Sequence, residues 1–555
     1  MAAEQAVQSA AREWLLLDPD PETRAEVEEL LTASAADGAD AEAALDGLTN
    51  RFGARLEFGT AGLRGALGAG PNRMNRVVVS QTSAGLARFL FTREERPRVV
   101  IGYDGRKNSA VFAKDAAEIF AGAGIDTVLL PRLLPTPVLA FAVRHLDASA
   151  GVMVTASHNP AQDNGYKLYL GGPDEGSQIV PPADREVFDL IGQVIDEGTA
   201  ALARSENYTI ADESVVEAYI AATALPLPDT QLAWVYTPMH GVGWDTVSRV
   251  LRAAGAPEPT LVAEQVDPDP EFPTVAFPNP EEAGALDLAI ATARTAGADV
   301  VLANDPDADR LAVVVRLESG DWEQLRGNEV GLLLADWAAR RAASDGRSGS
   351  LAASIVSTPG LGTVARVNGL EHIETLTGFK WISRAPDLIY GFEEALGYLV
   401  DPDKVRDKDG ISAAVAVLDI LLQLHRDGIP FEQHRSNLVA RYGWFGSDQI
   451  SIRVTDLSEI GEMMSRVRSR RPESIGGVRV VRSDDLSDGA SGLPASDVVR
   501  FWLDGGGRII LRPSGTEPKL KIYVDVAVED GEPAGRPERG EALLAQLREG
   551  ASALL

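Results

Sequence analysis

The stretch RVVIGYDGRKNSAVFAKDAAEIFAGAGIDTVLLP, from Arg98 to Pro131, shows the pattern that decides the fold. Its first apolar run predicts a strand that ends in a polar loop. A helix is predicted next, through Phe112 to Phe120, and GIDTVLLP predicts a second strand. A further apolar run, GVMVT, begins at Gly151. Strands that alternate with helices in this way are typical of βαβ units with mostly parallel sheets.

The same alternation restarts further along the chain. It returns at LAWVYTPMHGVG (232–243), at GADVVLANDPDADRLAVVV (297–315) and at LAASIVSTPGLGTVARVNG (351–369), whereas the C-terminal stretch consists of apolar runs separated by short turns. We therefore predict an α/β fold of three similar α/β domains with mostly parallel mixed sheets, followed by a smaller α+β domain. The predicted boundaries are 1–225, which includes a helical extension over residues 3 to about 48, then 226–330, 331–446 and 447–555.

The bulk composition limits the class of protein. A chain of 555 residues is expected to form several domains, because single cores rarely grow beyond about 250–300 residues. It contains no cysteine, so disulfides, thiolate catalysis and cysteine-bound metals are excluded. The first residues, Met1 to Gln5, lack the basic and apolar regions of a signal peptide. No apolar run approaches the roughly 20 residues of a membrane helix, so we predict a cytoplasmic protein without a membrane partner.

The net charge of −30 argues against a nucleic-acid partner, because such binding requires Lys and Arg to neutralise phosphates. An anionic substrate would be repelled as well, unless basic side chains concentrate in one place. Basic residues that stand beside the motifs described next, and that could form such a cluster, are Arg64, Arg106, Lys107, Lys167, Arg310 and Lys380.

Ser157 stands in TASHNP, directly after the apolar run that begins at Gly151. Ser, Asn and Pro are ordinary turn residues, so a simple turn is one interpretation. The serine is not part of a G-x-S-x-G nucleophile elbow, because Ala156 and His158 flank it. A serine hydroxyl is a poor nucleophile, and catalysis would require a base, a metal or a phosphoryl group already attached to it.

The segment ANDPDADRL carries aspartates at alternate positions, Asp305, Asp307 and Asp309. Alternate side chains of an extended chain share one face, so the carboxylates are predicted to converge on one point. Hard oxygen ligands favour Mg²⁺ or Ca²⁺, although an acidic surface turn is an alternative. An EF-hand is excluded because Arg310 and Arg316 occupy the positions of its required Gly and Glu. The similar segment DPDPEFP (267–273) lacks a third Asp and is interpreted as structural.

Two further motifs carry groups suited to a sugar phosphate. RPSGTEPKLK (512–521) combines an arginine with hydroxyls and turn amides that can hold an anion, although a capped turn before an edge strand would look similar. GFEEALGYLV (391–400) places two carboxylates between glycines. Carboxylates accept hydrogen bonds from sugar hydroxyls, but a solvated charge pair is the alternative.

In this order the motifs resemble those of the α-D-phosphohexomutase family, which includes phosphoglucomutases and phosphomannomutases. The resemblance covers roughly residues 50 to 525. It is carried by TASHNP (155–160), DPDADR (305–310), GFEEALG (391–397) and RPSGTEPK (512–519), with support from GTAGLRG and TGFKWI. The long form of the chain also resembles a branch that contains phosphopentomutase-like and glucose-1,6-bisphosphate-forming members.

The resemblance implies four domains around a central cleft and a role for each motif. Ser157 is similar to the phosphorylated serine, and Asp305, Asp307 and Asp309 to the ligands of one Mg²⁺ per chain, with a phosphoryl oxygen on Ser157 completing the site. The implied catalytic residues are Ser157, Lys167, Arg64 and His158, and the implied substrate-binding residues are Arg310, Lys380, Glu393, Glu394, Arg512, Ser514, Gly515 and Thr516.

The resemblance further implies an isomerase that interconverts hexose 1-phosphates and hexose 6-phosphates through a phosphoserine and a bisphosphorylated sugar, which also serves as activator. The alternatives are a mutase for pentose phosphates, a metal-dependent phosphatase and a non-catalytic sugar-phosphate binder. The predicted partner is a small sugar phosphate, and the predicted assembly a monomer or small homo-oligomer. Ala395 and Tyr398 stand where many relatives carry Ser and some carry His, so Lys167 is the predicted general base, a role that requires a lowered pKa.

Overall fold

The computed structural model describes residues 2–57, 62–454, 456–489, 492–514 and 519–554, with the backbone alone for Ala2, Ala3 and Leu457. The chain divides into two compact units. Unit 1 comprises Met1–Pro226, Ala233–Ala312 and Asp403–Ser412, and unit 2 comprises Leu227–Leu232, Val313–Pro402 and Ala413–Leu555. The short segment 403–412 thus belongs to unit 1, although the residues before and after it in sequence belong to unit 2.

Unit 1 begins with helices over the stretch for which the sequence pattern predicts helix. They are α1 (Ala2–Leu17), α2 (Pro21–Ala33) and α3 (Ala39–Phe52). Helix α2 has a favourable start, because Asp20 accepts a hydrogen bond from the Glu22 amide and Pro21 occupies the first helical position. Trp14 packs edge-on against Phe52 with 5.9 Å between ring centroids, which joins the first of these helices to the last.

A mixed sheet follows in unit 1. Its strands and the helices between them are β1 (Gly62–Ala66), α4 (Arg76–Arg93), β2 (Arg98–Tyr103), α5 (Ser109–Gly122), β3 (Asp126–Leu129), α6 (Thr136–His145), β4 (Ala150–Val154), β5 (Asp163–Leu170), β6 (Ser177–Gln178), α7 (Ala183–Glu197), β7 (Thr209–Ile210) and α8 (Ser214–Thr223). The strand order is β1-β5-β4-β2-β3-β7, with β6 beside β5. Strand β2 runs parallel to β3 and β4, and β5 runs antiparallel to β4. Every residue of β4 is buried, as expected of an apolar strand covered on both faces.

The second part of unit 1 repeats the βαβ arrangement. Its elements are β8 (Trp234–Thr237), α9 (Gly243–Ala254), β9 (Thr260–Leu261), α10 (Asp287–Ala296), β10 (Val300–Asn304) and the start of β11 (Leu311–Arg316). Strand β8 lies parallel to both β9 and β10. The loops after β8 and β10 therefore emerge at the same edge, where ligands commonly bind in parallel sheets.

Unit 2 contains a smaller sheet and its helices. Strand β12 (Trp322–Gln324) comes first and pairs antiparallel with β11, outside this sheet. The elements of the smaller sheet and its helices are α11 (Gly327–Ser344), β13 (Ser350–Ser354), α12 (Gly360–Val367), β14 (Glu371–Thr375), α13 (Phe379–Ile382), β15 (Leu388–Glu393), β16 (Gly397–Leu399), α14 (Gly410–Asp427) and α15 (Phe431–Tyr442). The order β14-β13-β15-β16 is parallel except for β16. The βαβ prediction for LAASIVSTPGLGTVARVNG is confirmed by β13, α12 and β14.

The C-terminal part of unit 2 is an antiparallel sheet with helices. Its elements are β17 (Trp444–Arg453), α16 (Leu457–Ser469), β18 (Ser474–Ile475), β19 (Val478–Asp485), β20 (Val499–Leu503), β21 (Gly507–Pro513), β22 (Lys519–Val528) and α17 (Arg536–Ser552). The order is β17-β22-β21-β20-β19-β18. Strands β20 and β21 pair antiparallel around residues 504–506, as expected of apolar runs separated by short turns. The predicted domain boundaries near 225, 330 and 446 stay predictions. Within the described part of the chain, no helix combines the length and apolarity needed to cross a membrane.

Candidate active site

Ser157 lies in a turn directly after β4, in unit 1. Its backbone has a left-handed φ of 53°, and its amide donates a hydrogen bond of 2.8 Å to the Thr155 hydroxyl. The Ser157 hydroxyl donates to Asp305 Oδ2 at 2.9 Å and lies 3.1 Å from His158 Nδ1. The buried serine of one loop and the aspartate of a loop 148 residues later therefore meet at one point.

Arg106 holds the serine loop through the backbone. Its guanidinium donates to the carbonyl oxygens of Ser157 (2.7 Å), Asn159 (2.5 Å) and Pro160 (2.8 Å). Burial lowers the pKa of Arg106, and the carboxylate of Asp104 opposes that shift. The sequence offered Arg106 as one of the cations around an anionic ligand. The structure instead uses it to satisfy carbonyl groups that the turn leaves without partners in the sheet.

The three aspartates converge as the sequence predicts, but through a different backbone geometry. Asp305, Asp307 and Asp309 are fully buried, and one carboxylate oxygen of each lies within 4.8 Å of the others. The prediction that an extended chain brings them together is wrong, because residues 306–308 form a turn. Ala308 has a left-handed φ of 55°, and this reversal aims the carboxylates toward one another.

A close backbone approach from the neighbouring loop fixes this turn. The Val242 amide donates to the Pro306 carbonyl at 2.9 Å. A Cβ added to Gly241 would lie 2.3 Å from Pro306 Cα, so a residue with a side chain would force the two loops apart. The glycine of TPMHGVG is therefore a packing requirement of the aspartate loop. His240 beside it is buried and bonds Thr274 through Nε2 at 2.8 Å.

The aspartates differ in their electrostatic surroundings. Burial raises the pKa of Asp305 well above its usual value, and the charges of Asp307 and Asp309 raise it further. Burial also opposes the charge on Asp309, but Lys167 and Lys408 outweigh it and lower the pKa of that carboxyl. Burial and the neighbouring carboxylates thus disfavour the charged form of Asp305, whereas the lysines favour that of Asp309.

Lys167, on β5, binds two of the aspartates. Its Nζ lies 2.6 Å from Asp307 Oδ2 and 2.7 Å from Asp309 Oδ2. Burial by itself would lower the pKa of Lys167, but Asp307 and Asp309 raise it overall. The predicted general base therefore stands in this structure as an ammonium group, and the lowered pKa that the prediction requires is not what these contacts produce. The base assignment stays a prediction.

The carboxylate cluster fits a divalent cation. Thr136 donates a hydrogen bond to Asp307 Oδ2 at 2.6 Å, and Lys167 Nζ donates to the same oxygen. The second oxygens, Asp307 Oδ1 and Asp309 Oδ1, are buried and accept no hydrogen bond from any residue that the structure describes. Buried oxygens without donors are costly unless a cation binds them, and an all-oxygen set suits Mg²⁺ or Ca²⁺. Asp305, Asp307 and Asp309 are therefore the residues that could hold a metal.

Segment 403–412 adds groups to this cluster that the sequence analysis missed. Lys408 Nζ lies 3.3 Å from Asp309 Oδ2 and 3.2 Å from Asp407 Oδ1. Tyr169 and Gln178 each donate to Asp407 Oδ2 at 2.7 Å. Nothing in the local pattern around Lys408 ties it to a loop about 100 residues earlier. A lysine between two aspartates, just ahead of an apolar helix, is the one signal that the sequence offers.

Of the remaining basic residues of unit 1 that the sequence singles out, two contact the serine or aspartate loop and one does not. Arg64 donates to Asn159 Oδ1 at 3.0 Å, so it contacts the serine loop. The Arg310 amide donates to Asp305 Oδ1 at 3.0 Å, and its Nε lies 4.0 Å from Asp309 Oδ1. Lys107 instead pairs with Glu22 of α2 at 2.6 Å on an exposed surface. The structure describes no contact between Lys107 and the aspartates of the 305–309 loop.

Unit 2 carries the predicted sugar-binding carboxylates and the arginine motif. Glu393 ends β15 and is buried, while Glu394 accepts from the Ser357 hydroxyl at 2.9 Å. Burial raises the pKa of Tyr523; Glu394 adds to the shift and Arg512 opposes it. Both groups thus lie within electrostatic reach of the same phenol.

The structure describes some, but not all, of the other predicted substrate-binding residues of unit 2. Lys380 is a buried residue of α13. The Ser514 amide donates to the Lys519 carbonyl at 2.8 Å. Gly515 and Thr516 lie outside the described residues.

Comparison with known proteins agrees with the architecture. All four domain models of the phosphoglucomutase/phosphomannomutase family match this chain. They are α/β/α domain I at residues 55–195, domain II at 217–318, domain III at 326–442 and the C-terminal domain at 463–534. The chain belongs to the phosphoglucomutase/phosphomannomutase family. The resemblance to α-D-phosphohexomutases and the fold class of α/β domains with a distinct C-terminal domain are confirmed.

Relatives of known name cover most of this chain. A protein of Haemophilus influenzae named "Probable phosphomannomutase" is 50% identical over 87% of this chain and 98% of its own length. The human phosphopentomutase is 35% identical over 94% of this chain and 91% of its own length. The human glucose 1,6-bisphosphate synthase is 33% identical over 93% of this chain and 89% of its own length. The chain is accordingly an isomerase of the intramolecular phosphotransferase class.

A solved structure shares the fold. The structure of a phosphoglucomutase/phosphomannomutase family protein from Burkholderia thailandensis has a TM-score of 0.66 and 19% identity, covering 90% of this chain and 96% of that one. At this level of identity the likeness concerns the fold.

Proposed function

We propose that the chain interconverts hexose 1-phosphates and hexose 6-phosphates, with glucose or mannose phosphates as substrates, through a phosphorylated Ser157. The observation that carries the proposal is the contact between the Ser157 hydroxyl and Asp305 at 2.9 Å. This contact sets a hydroxyl against a buried triad of hard oxygen ligands. A serine in this position can carry a phosphoryl group whose charge a divalent cation would neutralise.

In the proposed reaction, a hydroxyl of the sugar phosphate attacks the phosphorus of phosphoserine 157. The new P–O bond forms as the bond to Ser157 Oγ breaks, which gives a bisphosphorylated sugar and a free serine. The bisphosphate then returns its other phosphoryl group to Ser157 and leaves as the isomer. A Mg²⁺ held by Asp305, Asp307 and Asp309 would supply charge neutralisation for the phosphoryl group during transfer.

The residues of the chain divide the remaining tasks. Arg106 and Arg64 fix the serine loop, so that Oγ keeps its position while the phosphoryl group moves. Lys167 stays our proposed proton-transfer group. Because it begins as an ammonium beside two aspartates, it donates a proton to the departing Ser157 oxygen and takes up the proton that the attacking sugar hydroxyl loses.

Recognition of the sugar is assigned to unit 2. We propose that Glu393 accepts hydrogen bonds from sugar hydroxyls, and that Lys380, Glu394 and the segment Arg512 to Thr516 bind the substrate, with the arginine gripping the phosphate that does not react. Arg310 is proposed to contact the substrate near the aspartate loop. An arginine suits this task because its planar fork matches two phosphate oxygens.

The proposal is tested by following ³¹P resonances with glucose 1-phosphate, mannose 1-phosphate and ribose 1-phosphate, each with a trace of the matching bisphosphate and Mg²⁺. Conversion of a hexose 1-phosphate to its 6-phosphate supports the proposal. Faster turnover of ribose 1-phosphate would assign the enzyme to pentose phosphates instead. Release of inorganic phosphate without isomer would identify a phosphatase, and the absence of any product would identify a binder.

Arg512→Ala is expected to raise the KM for the sugar phosphate by about 10- to 100-fold while kcat changes little, because a charge-assisted phosphate contact contributes mainly to binding. The measurement is steady-state kinetics with the preferred substrate. Arg482→Ala is the matched control, since Arg482 lies on β19 of the same sheet with 60% of its side chain exposed. An unchanged KM in the Arg512 variant would remove the arginine from the phosphate site.

A further inference from the structure

The reaction steps proposed above assign no task to helices α1 to α3 and the residues up to Glu57; we call them the N-terminal helical segment. Their buried side chains are not a separate core. Trp14, Val27 and Leu48 belong to the same apolar cluster as Leu63 and Ala69. The segment therefore packs directly against strand β1 and the loop that follows it.

A single carboxylate joins the segment to that loop. Glu26, on α2, accepts a hydrogen bond from the Ala69 amide at 2.8 Å through Oε2. Its other oxygen accepts from Arg51 of α3 at 2.9 Å. The Arg51 carbonyl in turn accepts from the Asn72 amide at 3.1 Å. Glu26 and Arg51 thus bind the loop 67–73 at two of its backbone amides.

The packing at this junction leaves no room for a side chain at Gly65 of β1 or at Gly70 of the loop. A Cβ at Gly65 would lie 2.9 Å from Leu56 Cδ2, and a Cβ at Gly70 would lie 2.7 Å from the Arg51 carbonyl oxygen. Gly70 also has a left-handed φ of 100°. The N-terminal helical segment therefore contacts the backbone of β1 beside Arg64, rather than touching only its side chains.

Strand β1 leads from this junction to the reactive serine. In its pairing with β5, Arg64 lies opposite Gly165 and Gly62 lies opposite Lys167. The Arg64 guanidinium reaches Asn159 Oδ1 at 3.0 Å in the serine loop. A shift of β1 would therefore move Arg64 relative to Ser157, and about 1 Å of misplacement at a reacting centre can cost about 100-fold in rate.

We propose that Glu26 is a positioning residue for phosphoryl transfer. It locks the N-terminal helical segment onto the loop 67–73 and so fixes the place of Arg64 against the serine loop. This inference rests on the proposed function in one respect, the presence of Arg64 at the site of transfer.

The test combines kinetics with hydrogen exchange on the full-length protein. Glu26→Ala and the milder Glu26→Gln are expected to lower kcat, by about 10-fold for Ala, with KM within about twofold. Both variants should increase deuterium uptake in peptides that cover residues 62–75. Glu29→Ala, an exposed residue of the same helix, is the control and should change neither quantity.

A double-mutant comparison separates positioning from general stability. In an Arg64→Lys background, Glu26→Ala should lower kcat by much less than 10-fold, because the arginine that Glu26 positions has already been replaced. An equal loss in both backgrounds would overturn the inference, and so would unchanged deuterium uptake at residues 62–75 in the Glu26 variants. If no mutase activity is found in the unmodified protein, the proposed function fails, while the exchange experiment still decides whether Glu26 holds β1 in place.

Discussion

Ser157→Ala is expected to lower mutase activity by about 10⁴-fold or more, the scale of loss seen when a covalent nucleophile is removed. The reason is that Ser157 Oγ is the atom proposed to carry the phosphoryl group between two sugar positions. The fold should persist, because the variant loses only the hydroxyl contacts to Asp305 at 2.9 Å and His158 at 3.1 Å. Their loss costs about 1 kcal/mol of unfolding free energy. Isomer formation and a thermal melt measure the two quantities.

A direct readout accompanies the rate. After incubation with the bisphosphorylated sugar, mass spectrometry should find one phosphoryl group on the peptide that contains Ser157, and none in the variant. The control is Ser149→Ala, just before the start of the same strand, where the hydroxyl accepts a hydrogen bond from the Arg98 amide at 2.8 Å. Turnover at the wild-type rate in Ser157→Ala would refute the covalent route.

The sequence predicts the position of Ser157 because the controlling features are local. An apolar run in an α/β chain becomes a buried parallel strand, and the polar residues that follow must lie at its carboxyl end. Strand β4 and the turn at Ser157 follow this rule. The same reasoning placed Asp305 after β10.

Local reasoning failed on the backbone of the aspartate loop. Alternation along an extended strand predicts a shared face, but the chain turns at residues 306–308. The turn depends on Gly241, which lets a different loop approach Pro306. A contact between loops some 60 residues apart leaves no periodic trace in either of them, so the geometry could not be predicted although the ligand types could.

Long-range partners were missed for a related reason. Lys408 and Asp407 join the aspartate cluster from segment 403–412, which unit 1 takes up from the middle of a stretch belonging to unit 2. Arg106 was noticed as a cation, but its use as a donor to three carbonyls of the serine loop depends on how that turn exposes its backbone. Such roles are fixed by tertiary packing rather than by residue type.

Asp305→Asn is expected to have opposite effects on activity and on stability. Activity should fall by about 10³-fold, because the triad loses a charged ligand at the point where phosphoryl charge is neutralised. In EDTA the variant should be more stable than the unmodified protein by about 1–3 kcal/mol, since burial and the charges of Asp307 and Asp309 make an ionised Asp305 costly. Asparagine can keep both contacts of this side chain, accepting from the Arg310 amide and bonding to the Ser157 hydroxyl.

Mg²⁺ should offset or reverse that difference in stability. A saturating ion at about 100 times its dissociation constant stabilises the protein that binds it by about 2.7 kcal/mol, so the unmodified protein should gain in its thermal melt while the Asp305→Asn variant should not. Asp267→Asn is the matched control, because Asp267 is an exposed aspartate of the similar segment DPDPEFP. It should leave activity and the Mg²⁺ response unchanged. An Asp305→Asn variant that is destabilised in EDTA yet still stabilised by Mg²⁺ would mean that the ion binds elsewhere, and the three buried carboxylates would then need another explanation.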